Sequence, residues 1–303
     1  MEFVLGMVLA VGALGGVLAL LGGVLLWRHR QRSHGRRNPL TYHLLRSPGQ
    51  SVRYQFEQLR WDVAMYLSLG MLPIPLVSGI LVAEWALTGE APGTIQVACL
   101  SIAAVCGLAW LGWKLWASMR NLQQLWLGCE AEGAVGQELN ELLRHGFRVF
   151  HDFPVGQREF NVDHVLVGPT GVFAIETTGR LKPTPGAAGW EVSYDGKTLE
   201  FPGWREAAPI QQAETAGAWL QVWLSNAVGE RVKVQPVVVL PGWEVKRTAV
   251  DGIPVLASGQ VPSYFTSAYR VLDANLVEQI ALQLEQRCRD VTPAPYRAGF
   301  EKA

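Results

Sequence analysis

The chain has 303 residues, 49% of them hydrophobic, and its 26 Lys and Arg balance 26 Asp and Glu. The zero net charge is a sum of unlike parts: residues 1–119 carry nine Lys/Arg against five Asp/Glu, which leaves 17 against 21 for residues 120–303. A mildly acidic second part argues against a clamp that grips nucleic acid by overall positive charge, though not against a local basic cleft, and four cysteines without CxxC or His/Cys spacing indicate neither a zinc site nor a disulfide framework.

The first predicted element is a helix over residues 3–27, a stretch without charge and long enough for a hydrocarbon core that needs roughly 20 helical residues. It is read as an anchor rather than a cleaved leader, because Glu2 precedes it and Arg28, Arg30, Arg32, Arg36 and Arg37 follow it. Two further uncharged runs, 63–83 and 91–113, are separated by a short loop that holds Glu90 and no basic residue. The expectation is therefore a membrane region over 1–119 with three transmembrane helices, at about 3–27, 63–87 and 91–116. Pro73 and Pro75 fall inside the second, and since Pro75 cannot donate to the carbonyl of Met71, a kink is predicted there. Cys99 and Cys106, seven apart on one helix face, read as small apolar packing groups.

Arg28 through Arg37, Arg46, Arg53, Arg60, Lys114 and Arg120 all fall on one side of a three-span arrangement. The positive-inside rule then puts the N-terminus outside and the C-terminal domain in the cytoplasm, as in a multi-pass protein of the cell (inner) membrane. Trp27, Trp61, Trp85, Trp113 and Trp116 stand at the predicted span ends, where indoles favour the headgroup level. The bilayer is the expected partner. The run from Arg28 to Arg37 sets topology in the plainer reading; in the other it also holds anionic lipid headgroups, at about 1 kcal/mol per basic residue. Glu84, near the outer end of its span, is the only acidic residue within a predicted span, which gives a transport role little support.

Residues 120–303 form the second predicted domain. The third helix continues past the membrane through Leu122, Leu125 and Leu127 and is expected to break near Gly133 and Gly136. A helix over 138–144 and strands over 147–153, 160–167 and 172–177 follow, the last two joined by Gly168-Pro169-Thr170-Gly171 as a hairpin. A second hairpin is read from 190–194 and 198–201 around Asp195-Gly196, then a helix over 209–225, an apolar strand over 234–240 and a closing helix over 276–287. The order predicts an α/β domain with a mixed sheet.

Within it, Asp163 interrupts an apolar strand and Glu176 ends the next, so two carboxylates lie on adjacent strands of a sheet core, where burial without a partner is costly. With a two-residue loop Val167 faces Val172, and counting back Asp163 faces Glu176, placed to hold one Mg²⁺. A type I turn with a bulged Gly171 would shift the pairing by one and send the carboxylates to opposite faces. The plainer reading is a surface glutamate at a strand end and an aspartate bonded to a backbone N–H. His164 points away from Asp163 and reads as a satisfied core histidine; His145 and His151 have no companions that suggest a site. No P-loop, dinucleotide fingerprint or Ser/His/Asp signature proposes another chemistry.

The stretch Asn161-Val-Asp-His-Val-Leu-Val-Gly-Pro-Thr-Gly-Val-Phe-Ala-Ile-Glu176, with Gly133-Ala-Val-Gly-Gln-Glu138 before it and Pro209-Ile-Gln-Gln212 after it, resembles the nuclease-related domain (NERD) family, a branch of the PD-(D/E)xK nuclease-like superfamily. The likeness covers about 133–240 and is most specific in the hairpin. It implies a restriction-endonuclease-like fold and a metal-dependent phosphodiesterase acting on nucleic acid, with Mg²⁺ or Mn²⁺ as cofactor. It further implies Asp163 and Glu176 as metal ligands, an acidic residue from the first helix, a lysine two places after Glu176 and a glutamine on the later helix. Gln212 fits the last. The lysine position holds Thr178, and the expected glutamate after Gly136 is Gln137, with Glu138 one place late. A threonine cannot supply the lysine's charge; Arg180 and Lys182 lie two and four positions on, and Arg180 suits charge stabilisation but not proton abstraction. Two readings result: a membrane-tethered nuclease, or a binding or scaffold module that keeps the fold without the catalysis.

Overall fold

The structure, a computed structural model, describes residues 40, 42–156, 160–183 and 190–292. The predicted first span, its flanking arginines and the chain end beyond residue 292 lie outside the described residues. Two compact units emerge: residues 58–122 belong to one, and residues 43–57 together with 123–292 make the other.

The first unit is helical. Helix α1 (Gln50–Gly70) closes with tight turns, Met71 N–H to Ser68 O and Leu72 N–H to Leu69 O, and α2 (Pro73–Thr88) begins afresh. The kink expected at Pro73 and Pro75 is thus a full interruption, with both prolines in the first turn of a new helix, where a missing N–H is harmless. Helix α3 (Thr94–Asn140) follows after a short loop. The stretches Gln50–Thr88 and Thr94–His145 are long and apolar enough to cross a membrane by length and composition, and their apolar windows contain no buried residue.

The expected break at Gly133 and Gly136 does not occur. Helix α3 runs through both and ends in a 3₁₀ turn (Glu141–His145), so the predicted helix 138–144 is the tail of a longer one. Glycine at 136 serves close approach: a Cβ there would meet Pro48 Cγ at 2.7 Å.

The second unit is built on a five-stranded sheet in the order β1-β2-β3-β7-β9, formed by β1 (Arg148–Val155), β2 (Phe160–Gly168), β3 (Gly171–Thr177), β7 (Val234–Leu240) and β9 (Val255–Ala257). The first three strands are antiparallel, and β7 and β9 add in parallel. On one face α4 (Ala208–Val228) and α6 (Ala274–Cys288) lay Ala216, Leu220, Leu224, Ile280 and Leu284 against Val165, Val167, Val172 and Ala174. On the other, the end of α3 and α5 (Val261–Thr266) lay Val135, Leu139, Leu142, Val261 and Phe265 against Leu166, Phe173, Ile175, Val237 and Val239. Each such buried side chain contributes about 1.5–3 kcal/mol, and the odd-even alternation along β3 sends its residues to opposite layers.

A second sheet, in the order β6-β5-β4-β8, contains the hairpin expected at Asp195-Gly196. Its strands are β4 (Glu191–Tyr194), β5 (Leu199–Phe201), β6 (Trp204–Glu206) and β8 (Glu244–Arg247). Val192, Tyr194, Leu199, Phe201 and Trp243 close a third core against Ile210 and Ala213 of α4.

The domain boundary drawn at 119/120 falls near the observed one at 122/123, but the α/β unit also takes in residues 43–57. Leu44 bridges Val291 through N–H···O bonds of 2.8 and 3.1 Å, and Arg46 forks onto the Asp290 carboxylate at 2.8 and 2.7 Å.

Candidate functional site: a carboxylate cluster at the open end of the β2–β3 hairpin

The hairpin pairs Val167 with Val172 and Gly168 with Gly171, in unbroken register back to His164 opposite Ile175. The loop is the two residues Pro169 and Thr170, no bulge intervenes, and one further step back places Asp163 opposite Glu176. Asp163 Oδ2 accepts a 2.7 Å bond from the Thr177 N–H. Both carboxylates keep some accessible surface yet are hemmed in by protein. Burial pushes Asp163 up to about 7 against the pull of the Thr177 N–H, with the Asp152 charge adding to it. Glu176 is raised well above the usual carboxylate range, first by burial and then by the charges of Asp163 and Glu132, with Arg180 opposing.

Glu132 is the third member, and the sequence reading missed it. It sits on α3, 5% exposed, and is pushed up to about 9 by burial and by the charges of Asp163 and Asp152, with the Gly49 N–H opposing. Its Oε2 is buried without a hydrogen-bond partner. The helix approaches the sheet closely enough to bring it there: a Cβ on Gly179, just past β3, would lie 2.8 Å from Ala131 Cβ and 3.1 Å from Leu127 O. A signal existed, for Glu132, Val135, Leu139 and Leu142 are all buried and follow helical spacing, so a glutamate stands on an apolar stripe.

Asp152 forms the wall behind Asp163. It stands opposite it, between the pairs His151–His164 and Phe153–Val162, with a left-handed φ of 50°. Its carboxylate, 2% exposed, accepts from Arg46 Nη1 at 2.8 Å, from Asn161 Nδ2 at 3.2 Å and from Ser51 Oγ. Nothing local in the sequence announces Arg46 and Ser51, about a hundred positions away.

The other sequence candidates are scattered. Glu138, expected as the first-helix acid, stands apart from this group: burial raises its pKa, the Ser258 hydrogen bond opposes, and Glu141 is the charge it feels. Six positions from Glu132, it occupies a different helix face. Gln137 and Gln212 are exposed. Thr178 is buried at 3% exposure and donates its N–H to Val239 O at 3.0 Å, so the position expected to hold a lysine holds a neutral structural residue. Arg180 is the cation nearest the lysine's part. It opposes the raised pKa of Glu176, while its guanidinium forks onto Glu206 at 2.8 and 2.9 Å. Lys182 places Nζ 4.1 Å above the Trp190 ring. His164 is fully buried and shares a 2.8 Å Nδ1···Nδ1 contact with His151, but its Nε2 has no partner, so it is only half satisfied. Burial, and then the neighbouring His151, hold its pKa well below the usual histidine value.

Among the described residues no group of three or more His, Cys, Asp or Glu is spaced as a complete metal cage. The oxygen chemistry nevertheless suits a hard cation that keeps much of its water and takes one or two protein carboxylates. Asp163 and Glu176 are the two that could serve. The unpartnered Glu132 oxygen and the raised pKa values mark carboxylates whose ionisation burial and neighbouring charge disfavour, with Arg180 opposing at Glu176.

No curated protein and no solved structure matches the chain. Residues 127–241, which contain Glu132, Asp163, Glu176, Thr178, Arg180 and Gln212, match the family model of the nuclease-related domain, NERD.

Proposed function

We propose that this protein is a membrane-anchored nuclease whose α/β domain, restriction-endonuclease-like in fold, hydrolyses phosphodiester bonds of nucleic acid at the cytoplasmic face with Mg²⁺ or Mn²⁺. The observation that carries the reading is that Asp163 acts electrostatically on both Glu132 and Glu176, and Glu132 on Glu176, inside a stretch matching the nuclease-related family. Asp163 and Glu176 are the residues to hold the cation, with Glu132 oriented behind them. A bound divalent cation would polarise the phosphate and acidify a water molecule. The Thr177 N–H fixes one oxygen of Asp163 and leaves the other for the ligand. Arg180 offsets developing charge from beside Glu176, which a guanidinium does well; proton abstraction is beyond it.

The membrane part of the reading rests on two helices whose apolar windows contain no buried residue and on the asymmetry of basic residues. Three spans at 3–27, 63–87 and 91–116, an outside N-terminus and a cytoplasmic domain remain the arrangement that satisfies both. The arginines from Arg28 to Arg37 would then face anionic lipid.

A second reading, a binding or scaffold module without hydrolysis, draws on Thr178 in the lysine's place and on the engagement of Arg180 by Glu206. The discriminating experiment incubates the full chain in detergent or nanodiscs with labelled DNA and RNA, with Mg²⁺, Mn²⁺ or EDTA. Metal-dependent cleavage that falls by about 100-fold or more in Asp163→Ala supports the nuclease. Binding without cleavage under every condition supports the module.

A further inference from the structure

The turn Pro202-Gly203 joins β5 to β6 and pairs Phe201 with Trp204. Proline at its first central position and a glycine with φ of 99° at the second make a type II turn, which holds the pair rigidly. The two rings stack at 4.7 Å with an interplanar angle of 3°, and Phe201 is buried. The Trp204 indole therefore lies flat on the core with its outer face turned to water, at 37% exposure. Trp243 supports it edge-on at 6.4 Å, and donates its Nε1–H to the carbonyl of Arg180 at 3.1 Å. Two residues past Trp204, on the same side of the strand, Glu206 takes the Arg180 guanidinium, and Arg180 acts electrostatically on Glu176. Lys182, exposed, stands over the equally exposed Trp190. Trp243 thus touches Arg180, Lys182 and Trp204, Lys182 also covers Trp190, and Arg180 acts electrostatically on Glu176.

We propose that Trp204, with Arg180 and Lys182 beside it, is a platform on which the unpaired bases of a single-stranded nucleic acid stack as the strand enters the carboxylate cluster, an inference that rests on the nuclease reading. Aromatic faces accept any base and neighbouring cations take the phosphates, the combination used for single strands without sequence readout. In a duplex the base faces are already stacked on one another, so this surface selects against it. The cations are local, in a domain whose net charge is negative, which makes contact outside this strip unfavourable and confines the strand to it.

The test is fluorescence anisotropy with the full chain in nanodiscs, in EDTA so that nothing is cleaved, using a labelled oligothymidylate of about 15 nucleotides and an unlabelled duplex of equal length as competitor. The single strand should bind and the duplex should fail to displace it. Trp204→Ala should weaken binding by about 10-fold or more, while Trp204→Phe, which keeps a stacking face and the packing on Phe201, should stay within about 3-fold. Lys182→Gln should flatten the dependence on salt by about one charge. Equal binding by Trp204→Ala, equal loss in Trp204→Phe and Trp204→Ala, or displacement by duplex overturns the platform. The two claims separate: binding that depends on Trp204 but is never followed by cleavage in Mg²⁺ removes the nuclease and keeps the platform. Cleavage with binding indifferent to Trp204 does the reverse.

Discussion

Apolar residues meet opposite fates in the two units. In the α/β unit Phe153, Val165, Leu166 and Ile175 have at most a trace of exposed surface, whereas in the helical unit Ile74, Ile95 and Ile102 are 67%, 79% and 63% exposed. The difference lies in patterning. The sheet strands and α3 beyond residue 131 put apolar side chains on faces that another layer covers, and polar ones elsewhere. Helix α2 and the first half of α3 are apolar all round, which no single protein neighbour can cover. Apolar content alone does not make a core; an all-round apolar helix needs cover on every side, from a large core or from lipid.

The largest effects should set the units furthest apart. Phe153→Ala removes a ring packed against Trp219 and Trp223 at 6.3 and 5.2 Å, and should cost the α/β unit about 3–5 kcal/mol in chemical denaturation. Ile102→Arg should leave that denaturation unchanged and cost about 2.5–3.5 kcal/mol in membrane insertion, read by glycosylation mapping. If Ile102→Arg inserts as well as the unsubstituted chain, the bilayer is not the solvent of α3.

A smaller contrast sharpens the account of the helix that carries Glu132. Gly136→Ala forces a Cβ to within 2.7 Å of Pro48 Cγ and should destabilise the unit by about 1–3 kcal/mol, because it pushes residues 43–57 off the helix. Gly133 has open space, so Gly133→Ala should stabilise it by about 0.5–1 kcal/mol through helix propensity. Equal effects at both positions would mean that the 43–57 segment does not pack on α3.

How far the sequence could be read follows the range of the interactions. The β2–β3 hairpin was legible because two apolar runs flank a turn whose residues name its geometry, and the pairing of Asp163 with Glu176 followed from counting. The turn residues suit either of two geometries, and the pairing of Gly168 with Gly171 excludes the bulge. The continuous α3 was misread because Gly133 and Gly136 look like helix stops, whereas Gly136 is small so that Pro48 can approach. Strands β6, β8 and β9 are only three or four residues long, too short for a period to register. The tie of Arg46 to Asp152 and Asp290 joins residues 106 and 244 positions apart, and no local pattern encodes such a contact.

The central claim is that Asp163, Glu176 and Glu132 form one site short of positive charge. Asp163 at about 7 and Glu132 at about 9 lie above their unfolded values of 3.8 and 4.5. The folded unit therefore holds more protons than the unfolded chain between about pH 4 and 9, and without divalent cation its stability should fall as pH rises through that window, the penalty being absent below it and complete above it. A cation that takes the place of the protons should reverse the fall and release them. The most direct measurement is calorimetric titration of the full chain with Mn²⁺ at pH 7 in two buffers of different ionisation enthalpy. Saturable binding with release of about one proton per cation, abolished in Asp163→Asn and weakened in Glu132→Gln, is the expected result; no binding, or binding that releases no proton and ignores Asp163→Asn, would contradict the site.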